Sequence, residues 1–435
     1  MADNTRSSWA NFLFDMQGQV REVFPTEAPF LAELSGVGDS QSVGRYTRDM
    51  DGNRGVFSGQ QVRHGIITAQ LPAGGWVNET QTWNVAQSLP SQKVLISLCD
   101  LVQPFTVSVD VERDSFDNAN ATAVATLVQQ ARKALAKVEN LTFLGDGTGK
   151  VSDIASGTSP GLAINVSTTG AGPMDALLPG TVWDILTKST GANPGNGLRR
   201  LIASVSDSAT TQTVTFDTNQ QASDGSSGNI TFSTNEGIYI PGSYSATAGA
   251  LAAQGLEQAA ATSGTFEGIA KGSVPQWQGT DGRAGDTTTL ALSAQMLDGA
   301  VRRGRRAAIG VWDFGIGDPA AIDLYKQSLL SLVRYDAGTI TLHSGYKGIA
   351  YDGADKPFPL IKEPVHKKGA IKLIDKGSFQ LYGDKSGPSF LDDDGSMFRR
   401  FNRTLIKEAD LLDRVQLGVT KCNTIVFVNN LAVAS

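Results

Sequence analysis

Residues 143–151 read FLGDGTGKV. Alternating glycines ahead of a lysine invite a phosphate-loop reading, and the neighbouring residues decide against it. A Walker loop needs a glycine five places before its Gly-Lys pair and a hydroxyl after the lysine. Here Leu144 stands five before Gly149 and Val151 follows Lys150, so a magnesium ion would lack its hydroxyl ligand. The dinucleotide pattern also fails, because the spacing is G-x-G-x-G and no strand pattern precedes it. Anions gather at helix N-termini, and this loop follows a helix. The glycines therefore read as a stop and a turn: Gly145 in a left-handed C-cap, then Gly147 and Gly149 redirecting the chain.

The helix they stop is the clearest in the chain. Over 119–142, Val124, Leu127, Val128, Ala131, Leu135, Val138 and Leu141 fall on one stripe. Asn118 or Asn120 can cap its start, and Arg132, Lys133 and Lys137 lie toward the end that favours cations. Its length is about 36 Å.

Upstream, residues 8–24 place Trp9, Phe12, Leu13, Met16, Val20, Val23 and Phe24 at helical spacing, and Pro25 ends the pattern. So apolar a helix needs something to lie on, either its own domain or a neighbouring subunit. Residues 55–71 and 81–114 read as two long strands around the turn Pro72–Gly75, the second ending in alternation at Phe105, Val107, Val109 and Val111. A lone hairpin is marginal in water and its edges call for a docking partner.

Downstream, residues 165–247 are rich in Ser, Thr, Gly and Asn, with short strands at 198–206, 211–218, 229–234 and 236–242. They predict a small antiparallel sandwich or barrel. A helix is expected over 287–304, with Arg302, Arg303, Arg305 and Arg306 at its end, then a strand at 307–314 and a helix at 318–334. The remainder, 355–435, returns to strands. The class is α+β with one dominant long helix.

Composition narrows the chemistry. The chain has 435 residues, 40% hydrophobic and 18% charged, with net charge −6. Such a balance suits a sizeable core and argues against a general nucleic-acid binder. No apolar run approaches the ~20 residues of a membrane span, and the N-terminus does not read as a signal peptide. The two cysteines, Cys99 and Cys422, stand far apart in apolar surroundings and read as buried thiols. No two of the three histidines, His64, His343 and His366, are close in sequence, and neither H-E-x-x-H nor G-x-S-x-G occurs. No catalytic, metal or cofactor residues are assigned. A carboxylate pair stays open, but its candidates, Asp392 to Asp394, read as a solvated loop before Gly395. The arginines at 302–306 read either as a DNA-facing patch or as helix-end and inter-subunit charge.

In their order, these parts resemble the major capsid protein of tailed bacteriophages, whose shell fold is shared with encapsulins. Four places carry the resemblance: FPTEAPFLAEL at 24–34, the long hairpin, VSVDVERD with the long helix and FLGDGTGK, and RRFNRTLIKEADLLDRVQLGVTKCNTIVFV at 399–428. The resemblance implies an N-terminal arm (1–43) and an extended loop (44–104). It implies a peripheral domain (105–164) with spine helix 119–142, and an axial domain (251–375) carrying an inserted β module (165–250). The chain then returns to the peripheral domain (376–414) and ends in the axial domain (415–435). It further implies a homo-oligomeric icosahedral shell of hexamers and pentamers around double-stranded DNA, assembled in a bacterial host. Portal, decoration and scaffolding partners are implied too, the last as a separate protein, since only about 115 residues precede the spine helix. Members that cross-link their shells use a lysine in the extended loop. None occurs here before Lys93, so a non-covalent shell is expected. Contacts between subunits are expected at Trp9, Phe12, Phe14, Phe24, Arg48, Arg54, Arg63, Trp76, Arg302, Arg303, Arg305 and Arg306. The rival readings are an encapsulin-like compartment and a β-rich hydrolase with a carboxylate pair.

Overall fold

The computed structural model describes residues 28–35, 57–58, 61–68, 89–108, 123–157, 159–167, 176–207, 211–218, 228–308, 311–330, 339–341, 347–352, 356–383, 388–391, 398–400 and 406–433. The N-terminal helix expected at 8–24, the turn at 72–75, His343 and Asp392–Asp394 lie outside them.

A strand of fourteen residues, Ile406–Val419, organises one sheet. Cys99–Ser108 pairs antiparallel along Ile406–Val415, and Phe379–Gly383 along Val415–Val419. Two short strands, Ser389–Phe390 and Arg399–Arg400, complete it. The long strand alternates near its start, burying Ala409, Leu411 and Asp413, and is buried continuously from Val415 to Val419. It therefore passes from a one-sided to a two-sided environment. Helix α2, Ala123–Leu144, lies on the alternating part, where Ala131 and Leu135 meet Leu411. Phe105, Phe390 and Phe398 form an aromatic cluster on this sheet, with ring centroids 6.3 Å apart in each pair.

The β-rich stretch is a closed six-stranded antiparallel barrel. In order around it run Glu236–Tyr239, Lys150–Gly157, Ala163–Ser167, Thr211–Phe216, Arg200–Asp207 and Val182–Thr187. It takes in Lys150–Gly157, upstream of the boundary expected at 165. It also takes in Val182–Thr187, which the sequence pattern did not single out. Residues 229–234 contribute only the bridge of Ile230 to Gly161.

The second sheet has seven strands, in the order Thr280–Asp281, Val426–Val428, Ile371–Ile374, Phe314–Gly317, Phe358–Lys362, Lys347–Tyr351 and Thr339–Thr341. Helix α4, Ala294–Ala307, and helix α5, Pro319–Leu330, pack on it through Leu297, Val301, Ile322 and Tyr325. α4 starts later than 287 because the Ser293 hydroxyl caps the Met296 amide and Leu290 instead bridges to Leu431. The strand expected at 307–314 is Phe314–Gly317, since α4 runs on to Ala307. Two further helices are short: α1, Pro29–Ser35, and α3, Leu256–Ala260. One large core joins α1, the hairpin, the end of α2, the barrel and α3.

Candidate assembly surfaces

The end of α2 is where these parts meet. The helix runs through Leu144, and Gly145 donates its amide to the Thr142 carbonyl at 3.0 Å. Gly145 does not take the left-handed conformation expected of it; Gly147 (φ +83) and Gly149 (φ +72) do. The α2 carbonyls need no left-handed cap, because α3 approaches them head-on. Glu257 donates its amide to the Gly145 carbonyl at 3.1 Å, so the positive end of one helix meets the negative end of another. Gly255 makes the approach possible. A Cβ there would stand 2.5 Å from the Gly145 oxygen and 2.6 Å from the Thr142 oxygen. Asp146 closes the turn by accepting from the Thr148 amide at 3.0 Å. A Cβ on Gly147 would meet Gln258, and one on Gly149 would meet Ser243. The loop is thus filled by the chain's own side chains.

α3 is held from every side by buried polar groups. Its last carbonyls, on Gln258, Ala259 and Ala261, accept from the Lys271 ammonium at 2.8, 2.6 and 2.7 Å. Burial lowers the Lys271 pKa to about 8. On its flank, Glu257 pairs with Lys372 at 2.5 Å and Lys367 at 3.0 Å, tying α3 to the seven-stranded sheet. Burial opposes ionisation of Glu257, yet the two lysines hold its carboxyl well below the usual range. His366, beside Lys372, is pushed down to about 3 by burial and by that lysine. Gln254, just before α3, exchanges two 3.3 Å bonds with Gln416 of the long strand.

Glu267 extends this junction to the hairpin. Its carbonyl accepts from the Leu95 amide at 3.0 Å, its amide donates to Gln254, and its carboxylate accepts from Val419 at 2.8 Å. Burial raises the carboxyl to about 8, against the pull of the Val419 amide and of Lys271. α1 is clamped nearby: Phe30 donates its amide to Glu363 at 2.9 Å and Leu31 donates to Asn140 at 3.1 Å. None of these groups stood out in the sequence, since buried charge leaves no periodic signal.

The hairpin itself is Gln61–Ile67 paired with Ser91–Ser97. One face is seated on the chain's own core, with Val62, Val94 and Ile96 at 0%, 0% and 1% exposure. That face needs no second molecule, in contrast to the expectation for the hairpin as a whole. The outer face keeps Ile67 and Leu95 at 64% and 39% exposure, and Arg63 stands exposed opposite Leu95. Of the other expected contact residues, Trp9, Phe12, Phe14, Phe24, Arg48, Arg54 and Trp76 fall outside the described residues.

The four arginines divide. Arg302 donates to the Asp298 carbonyl at 3.3 Å and Arg303 to the Gly282 carbonyl at 2.6 Å. Arg305 and Arg306 line a cleft of about 650 Å³ with Ile66, Ile67, Trp277 and Lys421. A second cleft, about 530 Å³, lies between the five-stranded sheet, α2 and the foot of the barrel. Val102 and Leu251 are exposed in its lining, and Cys99, whose thiol burial and Asp100 push up to about 11, is also there. Among the described residues no group of three or more His, Cys, Asp or Glu is placed to hold a metal, and no helix is long and apolar enough to cross a membrane.

No protein-family model and no curated protein matches the chain. Solved structures do. A chain of the capsid asymmetric unit of cyanophage A-1(L) is 14% identical and superimposes over 95% of this chain and 95% of its own, with a TM-score of 0.52. The holo-SrpI encapsulin of Synechococcus elongatus PCC 7942 is 10% identical over 99% and 97%, with a TM-score of 0.47. The capsid of a native GTA particle is 11% identical over 99% and 100%, at 0.44. The match to the cyanophage chain carries the conclusion: this α+β chain has the fold of a phage capsid subunit.

Proposed function

We propose that the chain is a structural shell subunit, the major head protein of a tailed phage. Many copies close into an icosahedral particle of hexamers and pentamers around double-stranded DNA. The observation that carries the reading is the near full-length superposition on the cyanophage capsid subunit, at both chains' 95% coverage. The junction at α3 supports it physically. It locks spine helix, long strand, hairpin root and seven-stranded sheet into one body, which an assembly built from repeated rigid contacts requires. In this reading α2 and the five-stranded sheet form the peripheral domain. The seven-stranded sheet forms the axial domain, and the barrel is its insertion. The outer hairpin face, the N-terminal arm and the arginines of α4 lie at subunit contacts. A separate scaffolding protein, a portal and a decoration protein are its partners, and the shell is assembled in the host cytoplasm. The acidic chain confines DNA without gripping it. Its work lies in surfaces rather than in a catalytic site.

The test is expression, alone and with the genomic neighbours, followed by electron microscopy. Closed shells are expected. Discrete small oligomers under every condition, together with a measurable turnover, would overturn the proposal. Mature particles should also run as monomer bands on a denaturing gel, since the one lysine within 44–104, Lys93, sits opposite Gly65 in the paired strands of the hairpin and not near the turn expected at 72–75.

A further inference from the structure

We propose that the cleft beside α4 receives the acidic segment Asp392–Asp394 of a second copy of the chain. The inference rests on the shell reading only in requiring that copies associate. The cleft is electropositive within an acidic molecule. Arg305, Arg306 and Lys421 line it, no acidic residue among the described residues does, and Ile67 and Trp277 supply an apolar wall. The side chains of Arg306 and Lys421 have no hydrogen-bond or ion-pair partner among the described residues. Asp392–Asp394 is the one place in the sequence where three acidic residues adjoin.

Charge complementarity pairs the two, and distance assigns them to different copies. The segment leaves the five-stranded sheet where Leu391 donates to the Asp410 carbonyl at 2.9 Å, and it returns where Arg399 pairs with Glu408. Phe390 and Phe398 pin both ends against Phe105. The cleft begins beyond Thr420. At ~3.3 Å per residue, the strand separates the two levels by about 33 Å. A segment tethered at Leu391 and Arg399 reaches at most about 15 Å from its base. The contact is therefore heterologous, an acidic edge of one copy meeting a basic cleft of the next, the geometry that closes rings.

A charge swap in the full chain tests this, read by electron microscopy and sedimentation. R306E with K421E, and separately D392K with D393K, should each lower the fraction of subunit in closed shells about tenfold, because like charges then meet on every copy. The variant carrying all four changes should return to within about twofold of the unmodified chain. A folding defect would not be repaired by reversing distant charges, so rescue keeps the result decisive. Shells unaffected by either pair, or no rescue in the fourfold variant, would overturn the inference. So would intact shells that merely retain less DNA, since the cleft would then be a phosphate contact. If the unmodified chain forms no shell under any condition, the shell reading itself falls and takes this contact with it.

Discussion

The barrel and the junction around α3 are both buried, and they are held together by opposite means. In the barrel, Ile154, Ile164, Val166, Ile202, Val214 and Ile238 fill the interior, and neighbouring strands satisfy one another's backbones. At the junction, Glu267, Lys271, Lys372 and Gln416 are buried and Glu257 is half-buried, and each holds a partner from another element. Apolar packing loses stability by increments when trimmed. A buried polar network fails more abruptly, because removing one member leaves another charged or unpaired in a low dielectric. The barrel can therefore vary in detail, whereas the junction fixes how the other parts are set.

The largest expected effect is at Gly255. Gly255→Val would drive a side chain into three carbonyl oxygens at 2.5 to 2.9 Å, all of them backbone. It should cost more than about 4 kcal/mol and leave no cooperative melting transition. Next, Lys372→Met strips Glu257 of its shortest partner. Denaturant titration should show a loss of about 3 kcal/mol, while Lys372→Met combined with Glu257→Leu should recover most of it. Recovery would show that the network serves geometry more than stability.

Glu267 gives the third prediction. Its folded pKa of about 8 exceeds the usual carboxylate value of 4.5, so the folded state holds the proton more tightly. Its contribution is fully present below pH ~4.5 and is lost as pH rises through ~8. Lys271, depressed from 10.5 to about 8, gives the opposite slope above that point. Melting temperatures of the unassembled subunit at pH 5 and pH 8 should therefore differ less in Glu267→Gln than in the unmodified chain. An equal difference in both would remove Glu267 from the account. The smallest effect belongs to the barrel: Ile202→Val should cost about 1 kcal/mol by thermal melting, the same at either pH.

What the sequence allowed to be read follows this same division. The α2 stripe and the late strands repeat a simple apolar pattern, and periodicity is how a buried face is written locally. The β character of the barrel could be read for the same reason, although VWDILT at 182–187 has no alternation because it is covered almost throughout. The junction could not be read. α3 is five residues, LEQAA, too short for a period. Glu257 meets a lysine more than a hundred residues away, and nothing local distinguishes it from a solvated glutamate. Gly255 matters because of a carbonyl on residue 145, and nothing in the spacing of Gly145, Gly147 and Gly149 tells which of them take the left-handed conformation, which the last two do. The basic run at 302–306 stood out in the sequence, but only the fold sorts its members into two that bond carbonyls and two that line a cleft.

The long strand has a mechanical meaning as well. Cys99–Ser108 runs beside its first part and Phe379–Gly383 beside its last, one ending where the other begins, at Val415. That is a lap joint. A pull along the strand axis loads each overlap in shear, so the hydrogen bonds of an overlap must yield together, whereas a pull across the sheet would peel them one at a time. The far end of the joint is anchored at Val419 on Glu267. Tension entering at Ile406 is thus delivered to the junction around α3, and in the proposed shell a wall stretched from within would load each subunit along its stiffest direction wherever this strand lies in the plane of the wall.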